Sequence, residues 1–233
     1  MFEGYIGIHL WNEQQVNDLM FAMLLLSFSF FALGFRNNYH LFFRLAKDAW
    51  SVKSRQNLFE SNVKNSFLFR TYLLIQPLFL CSVILYVVMK NLGKVDFSDP
   101  LYVLTCIGIN FLVFLIFFIV KQLFYYLWGY VFADKEQYDN CRSCYNSIMS
   151  LWGVSLYLPS LWIVFVGNKH LLPMILFVSL YFLSRFAIIY KIIRIFHIRN
   201  KGIFYISLYL CAQEILPLYF LYRGIVYLYN FIG

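Results

Sequence analysis

The chain has 233 residues, of which 62% are hydrophobic, 22% aromatic and only 13% charged, and its mean hydropathy is +0.68. A soluble domain carries roughly 25% charged and about 45–50% apolar residues, so this composition excludes a soluble protein. The formal net charge of +8 does not indicate a nucleic acid partner, because the basic residues separate apolar blocks instead of clustering on one soluble face.

Six apolar runs are predicted to be membrane-spanning helices, because the hydrocarbon core takes about 20 helical residues. They cover residues 19–35, 71–89, 101–120, 148–166, 171–189 and 203–221. Each run is too long and too continuously apolar for a barrel strand, which has about 10 residues of alternating pattern. The predicted fold is therefore all-α, a polytopic transmembrane helical bundle that forms a single integral membrane domain over residues 1–233.

The basic residues between the runs predict the orientation of the chain. Residues 1–18 contain no Lys or Arg, whereas residues 36–70 contain seven. Segments on the same side as 36–70 add three bases in residues 121–147 and four in residues 190–202. This side has fourteen bases against four on the other, and the positive-inside rule places it in the cytoplasm. Both termini are accordingly predicted to be periplasmic.

Residues 41–50 predict an additional helix that lies along the membrane surface. Apolar residues recur at helical spacing in this segment, and Arg44 and Lys47 fall on the opposite side. We expect the apolar face to lie in the lipid boundary and the basic face to meet anionic headgroups. Arg44, Lys47 and Trp50 are thus candidates for binding lipid headgroups or for docking a protein partner.

The chain stays apolar and aromatic beyond the third run, as far as Phe132. Two readings are open: the helix projects along the interface, or Lys121 lies inside the bilayer. Cys141 and Cys144 follow in the predicted loop of residues 121–147. Because two thiols are half of a tetrahedral zinc site and no further ligands accompany them there, they are predicted to be reduced and unpaired.

Signatures of soluble enzymes are absent, including the P-loop, G-x-G-x-x-G, H-E-x-x-H and G-x-S-x-G motifs. The four histidines are scattered along the chain, and no two have the spacing that would let them share a metal or a haem. We therefore predict no enzymatic activity, no cofactor and no metal site.

Ionisable residues within the apolar runs are the strongest functional signal. Glu214 lies near the middle of the last run, Arg185 near the end of the fifth, and Lys121 at the border of the third. Because charged residues in spans face the bundle interior and pair, we expect a cluster of Glu214 with Arg185 or Lys121. This cluster is either a structural ion pair, with a protonated Glu214 as a variant, or a site for a proton or a substrate.

Several segments resemble an uncharacterised family of polytopic inner-membrane proteins found in Bacteroidetes. The segment that carries most of the likeness is Tyr-Leu-Cys-Ala-Gln-Glu-Ile-Leu-Pro-Leu at 209–218, and residues 24–36, 120–132 and 190–197 add to it. The resemblance covers nearly the whole chain and implies an inner-membrane location in a Gram-negative cell. It implies no activity, because no reaction is established for the family.

Together these features predict a non-enzymatic protein of the bacterial inner membrane, a subunit or accessory factor of a cell-envelope complex. Its expected partners are the lipid bilayer and another membrane or periplasmic protein. The alternative is an ion-coupled or small-solute transporter that uses Glu214, a hypothesis that prolines within the second, fourth and sixth runs also favour. An intramembrane enzyme has only the polar residues in the spans to support it.

Overall fold

A computed structural model describes residues 8–50, 63–91, 100–132, 135–165, 171–197 and 216–232, and every described segment is helical. In chain order the helices are α1 (Ile8–Trp50), α2 (Val63–Asn91), α3 (Pro100–Phe132), α4 (Lys135–Ser155), α5 (Tyr157–Phe165), α6 (Leu171–His197) and α7 (Leu216–Ile232). The all-α prediction is confirmed for these parts of the chain.

Among the described residues, five helical segments are long and apolar enough to cross a membrane. They are Val16–Lys47, Phe67–Asn91, Pro100–Leu127, Cys141–Phe165 and Leu171–Lys191. These segments contain or overlap the first five predicted runs, and the chain is a multi-pass membrane protein. The sixth run, 203–221, lies mostly outside the described residues, and its last part falls in α7, which continues to Ile232.

Helix α2 and the α4–α5 pair form the centre of the bundle. More than half of the apolar stretch of each is buried, 56% and 61%, compared with 17–22% for α1, α3 and α6. The main core cluster joins Leu80 and Tyr86 of α2 with Met20 of α1, Ile107 of α3 and Trp152 of α4. The outer helices turn Leu, Ile and Phe side chains outward, as lipid-facing surfaces require.

Helix α1 is sharply bent at Asn38, whose backbone is not helical (φ −134°, ψ 34°). The Asn38 side-chain amide donates a hydrogen bond to the Gly34 carbonyl at 3.2 Å, in the way that Asn competes with the helix backbone. The ring centroids of Phe31 and Phe42 are 6.2 Å apart. In a straight helix eleven residues would separate them by about 16 Å along the axis, so the segment after Asn38 folds back on the one before it.

Helices α4 and α5 are separated by a break at Leu156, three residues before Pro159. A proline ring collides with the carbonyl of the residue four positions earlier, here Ser155, and it offers no N–H to bond that carbonyl. The Ser155 hydroxyl donates to the Trp152 carbonyl at 2.7 Å, and the Ser160 hydroxyl donates to the Leu156 carbonyl at 2.6 Å. Hydroxyl groups from both sides of the break thus hydrogen-bond to backbone carbonyls near it.

The prediction of a loop over residues 121–147 is wrong for the described residues, because 121–132 belong to helix α3 and 135–147 to helix α4. The continuation of the third helix as far as Phe132, which the residues beyond its apolar run indicated, agrees with the structure. The prediction failed because the length of an apolar run measures only the part of a helix that can sit in hydrocarbon. Polar and aromatic residues beyond that run continue the same helix, and Cys141 opens the fourth candidate span.

Candidate functional site

Basic side chains lie inside the bundle around α4. Lys121 of α3 and Lys191 of α6 are only 3% and 5% exposed, and Arg185 of α6 is half-buried. Lysine and arginine are rarely buried without favourable contacts, because desolvation of a charge is costly. What each base touches therefore indicates what the interior of this bundle can do.

Lys121 is held between two tyrosine rings. Its Nζ lies 6.0 Å from the ring centroid of Tyr125, one helical turn further along α3, and 5.6 Å from that of Tyr145 on α4. The two rings are themselves in contact, with centroids 4.9 Å apart, and belong to a small core cluster with Ile148 and Ile188. A desolvated cation over aromatic faces gains about 1–2 kcal/mol, so Lys121 helps to bind α3 to α4.

Lys191 joins α6 to the same helix. Its Nζ donates to the Sγ of Cys144 at 3.8 Å. Cys141 lies one turn earlier on α4, and neither cysteine forms a disulfide. Within the described residues no three His, Cys, Asp or Glu side chains are grouped so that they could hold a metal ion.

Arg185 occupies a different part of the interior. Its guanidinium carbon lies 4.9 Å from the ring centroid of Tyr181, and that ring packs edge-on against Trp152 of α4 at 5.9 Å. Arg185 thus lies on the tyrosine ring through which α6 contacts α4.

The predicted cluster of Glu214 with Arg185 or Lys121 includes a residue, Glu214, that lies outside the described residues. The structure places Lys121 on Tyr145 and Arg185 on Tyr181, so each base has its own aromatic contact. Lys121 is buried in the bundle, whereas Arg185 is half-buried and contacts a ring of its own helix. Sequence reasoning overlooked Lys191, which was counted with the polar residues after the fifth run.

Three hydroxyl groups meet between α1, α2 and α5. The Tyr72 hydroxyl donates to the Ser27 carbonyl at 2.6 Å, and the Ser27 hydroxyl lies 2.9 Å from the Tyr157 hydroxyl. The two tyrosine oxygens are 3.3 Å apart. The partners are 45 to 130 residues apart in sequence, so no spacing pattern could have indicated this network.

A second polar contact joins the two central helices. Gln76 of α2, which is 2% exposed, donates through Nε2 to the carbonyl of Gly153 on α4 at 3.3 Å. Its Oε1 has no hydrogen-bond partner among the described residues, and the same holds for Trp152 Nε1 and Asn146 Oδ1. Buried polar atoms of this kind ordinarily hydrogen-bond to water or to a bound polar molecule.

The predicted surface helix over residues 41–50 is helical and forms the part of α1 beyond the bend. Its apolar face differs from the expectation, because Leu45 packs with Phe69 and Leu73 of α2 and is only 5% exposed. The side chains of Arg44 and Lys47 are exposed, and Trp50 is the last residue of α1. Because of the bend, the apolar face of the α1 segment after Asn38 packs against α2.

A family described as Domain of unknown function (DUF4271) matches residues 20–225, which is most of the chain. No curated protein and no solved structure matches it.

Proposed function

The chain belongs to the DUF4271 family of unknown function, and we propose that it is a non-enzymatic subunit or accessory factor of a cell-envelope complex. In this proposal it resides in the inner membrane of a Gram-negative bacterium, crosses the membrane six times and has both termini in the periplasm. The fourteen-to-four distribution of basic residues supports the orientation, and the resemblance drawn from residues 209–218 supports the location.

The observation that carries the proposal is that the buried bases contact helices of the bundle itself. Lys121 lies against Tyr145 and Lys191 against Cys144, and these two contacts tie α3 and α6 to α4. Arg185 lies against Tyr181 of its own helix. Bases that contact side chains of neighbouring helices help to hold the bundle together, which a membrane subunit needs, whereas transport requires bases that can change partners.

The test is isolation of the tagged full-length protein from native membranes under mild detergent, followed by mass spectrometry of the intact complex. A membrane or periplasmic protein present in a fixed ratio to the chain supports the proposal. A chain that is recovered alone from several detergents, after crosslinking in intact cells as well, contradicts it.

The orientation is tested separately with alkaline phosphatase, which is active only in the periplasm. A fusion after Gly233 should be active, and one inserted after Ala133 should be inactive. The reverse result would show that the assignment of sides is inverted.

A transporter that uses Glu214 is the second candidate, and it is favoured by buried polar atoms that have no hydrogen-bond partner within the described part of the chain. Gln76 Oε1, Trp152 Nε1 and Asn146 Oδ1 are the kind of groups that a hydrated path or a bound solute would satisfy. The isosteric Glu214→Gln variant discriminates between the candidates, because it keeps hydrogen bonding and removes titration. A variant that assembles normally but no longer moves protons in proteoliposomes would establish transport and overturn the subunit proposal.

A further inference from the structure

The bend of α1 brings four exposed bases to one end of the bundle. Arg36 precedes Asn38, and Arg44 and Lys47 follow it on the returning arm of the helix. Arg70 lies near the start of α2, and all four side chains are exposed. These four bases take no part in the interior contacts of Lys121, Lys191 and Arg185.

Packing beneath the bases fixes their arrangement. The Phe69 ring fills the inside of the bend, where a Cβ on Gly34 would lie 2.5 Å from its Cδ2 atom. Phe69 also packs with Leu45 of the returning arm and is 4% exposed. Because Arg44 and Arg70 adjoin Leu45 and Phe69 in sequence, the same buried cluster supports both bases.

Large apolar and aromatic side chains are exposed beside the bases. Phe43, Phe67 and Leu68 are 64%, 67% and 69% exposed, and Tyr39 is 47% exposed. Basic and aromatic side chains occur together where a membrane protein passes through the headgroup layer, because rings enter the acyl boundary while cations meet phosphates. We call these four residues and the four bases the elbow surface.

We propose that the elbow surface binds the headgroup phosphates of anionic phospholipids in the bilayer that holds the chain. Two observations select a lipid as the occupant. The returning arm belongs to the candidate span Val16–Lys47, so no length of chain is left in which it could move away from the bilayer. The exposed Phe and Leu side chains also require an apolar phase next to the negative charge, and a phospholipid monolayer supplies both. This inference goes beyond the proposed subunit role and does not depend on it.

The test uses the full-length chain in detergent micelles, with equal amounts of phosphatidylglycerol and phosphatidylcholine that carry identical acyl chains. Native mass spectrometry measures the ratio of the two lipids bound. The wild type should prefer phosphatidylglycerol, and each base removed should lower that preference about fivefold at low salt. The double variant Arg44→Gln/Arg70→Gln is therefore expected to lose most of it, and added salt should weaken the wild-type preference.

Lys90→Gln/Arg223→Gln is the matched control, because it removes the same charge elsewhere. Lys90 lies about 30 Å along α2 from Arg70. This control and the charge-preserving variant Arg44→Lys/Arg70→Lys should keep the wild-type ratio. If the double Gln variant does not fold, the single Arg44→Gln variant at an exposed position is expected to lose about fivefold.

Several results would overturn the proposal. The wild type could bind both lipids equally, the double Gln variant could keep its preference, or the control could lose as much as the double Gln variant. Equal binding of free glycerol phosphate, with the same sensitivity to Arg44→Gln/Arg70→Gln, would show recognition of phosphate without the lipid.

Discussion

Replacing Gly153 by Ala should destabilise the bundle, because the added methyl group would meet a proline ring that cannot rotate away. A Cβ on Gly153 would lie 2.9 Å from Cδ of Pro77 and 3.2 Å from its Cβ and Cγ atoms. The Gly153 carbonyl also accepts the hydrogen bond from Gln76 at 3.3 Å, so moving α4 away from α2 would loosen that contact as well.

The size of the effect follows from two opposing contributions. Overpacking at a well-packed contact costs about 1–3 kcal/mol, whereas exchanging Gly for Ala inside a helix gains about 0.5–1 kcal/mol. The net change for Gly153→Ala is thus a loss of up to about 2 kcal/mol. Gly108 on α3 is the matched control, because a Cβ there has nothing within 4 Å and the variant should only gain helix stability.

The two variants are compared by heating the protein in detergent micelles and measuring the folded fraction by fluorescence-detected size-exclusion chromatography. Gly153→Ala should unfold several degrees below Gly108→Ala, since about 1 kcal/mol corresponds to about 2–4 °C in a protein of this size. Pro77→Ala added to Gly153→Ala should recover part of the loss, as directly contacting residues do in a double-mutant cycle. Equal unfolding temperatures for the two glycine variants would refute the close contact of α2 and α4.

Three further predictions address other contacts. Gly34→Ala should lower the unfolding temperature, because the added Cβ would collide with the Phe69 ring. Adding Phe69→Leu to this variant should restore part of the lost unfolding temperature, and a double variant that restores none would contradict the packing inside the bend. Tyr72→Phe should cost about 1 kcal/mol in thermal stability through its lost hydrogen bond, whereas Tyr222→Phe at an exposed site should cost less. Replacing Cys141 and Cys144 by Ser should leave the amount of protein in the membrane unchanged, because two thiols alone do not complete a zinc site. If the purified wild type contains one zinc ion per chain and the variant contains none, this prediction is wrong.

The sequence predicts the spans well because a single physical requirement defines them. A helix that crosses hydrocarbon must be apolar for about 20 residues, and that length can be counted along the chain. The ends are less predictable, since a helix continues into the headgroup layer wherever its residues allow. Helix α3 therefore extends twelve residues beyond the predicted end at Val120, and α4 begins thirteen residues before the predicted start at Ile148.

The internal contacts could not be predicted to the same degree. Sequence placed Lys121 and Arg185 in or next to spans and predicted that they face inward, because lipid does not solvate a charge. It did not identify Tyr145 or Tyr181 as the rings they contact, since tyrosine is abundant in this chain and most spacings offer one. No proline marks the bend at Asn38, although Gly34 lies one turn before it and Asn is a residue that competes for backbone hydrogen bonds.

The central position of α4 accords with the polarity of that helix. Among the five described spans, the one that starts at Cys141 has the lowest mean hydropathy and the largest buried share, 61%, whereas the most apolar span, in α3, is 22% buried. Ser147 and Ser150 are buried on α4, and their hydroxyls donate to carbonyls four residues earlier at 2.9 and 2.8 Å. These small, internally bonded residues allow close packing of neighbouring helices without exposing polar groups to lipid.

The burial of the interior bases determines which substitutions can test function. The cations Lys191 and Lys121 lie inside the bundle, where a cysteine and a tyrosine of α4 contact them. The described interior bases therefore contribute to assembly of the fold, and substituting them would disturb folding whether or not the protein transports anything. Glu214, by contrast, can be neutralised isosterically, which makes Glu214→Gln the substitution that separates a structural role from a proton-coupled one.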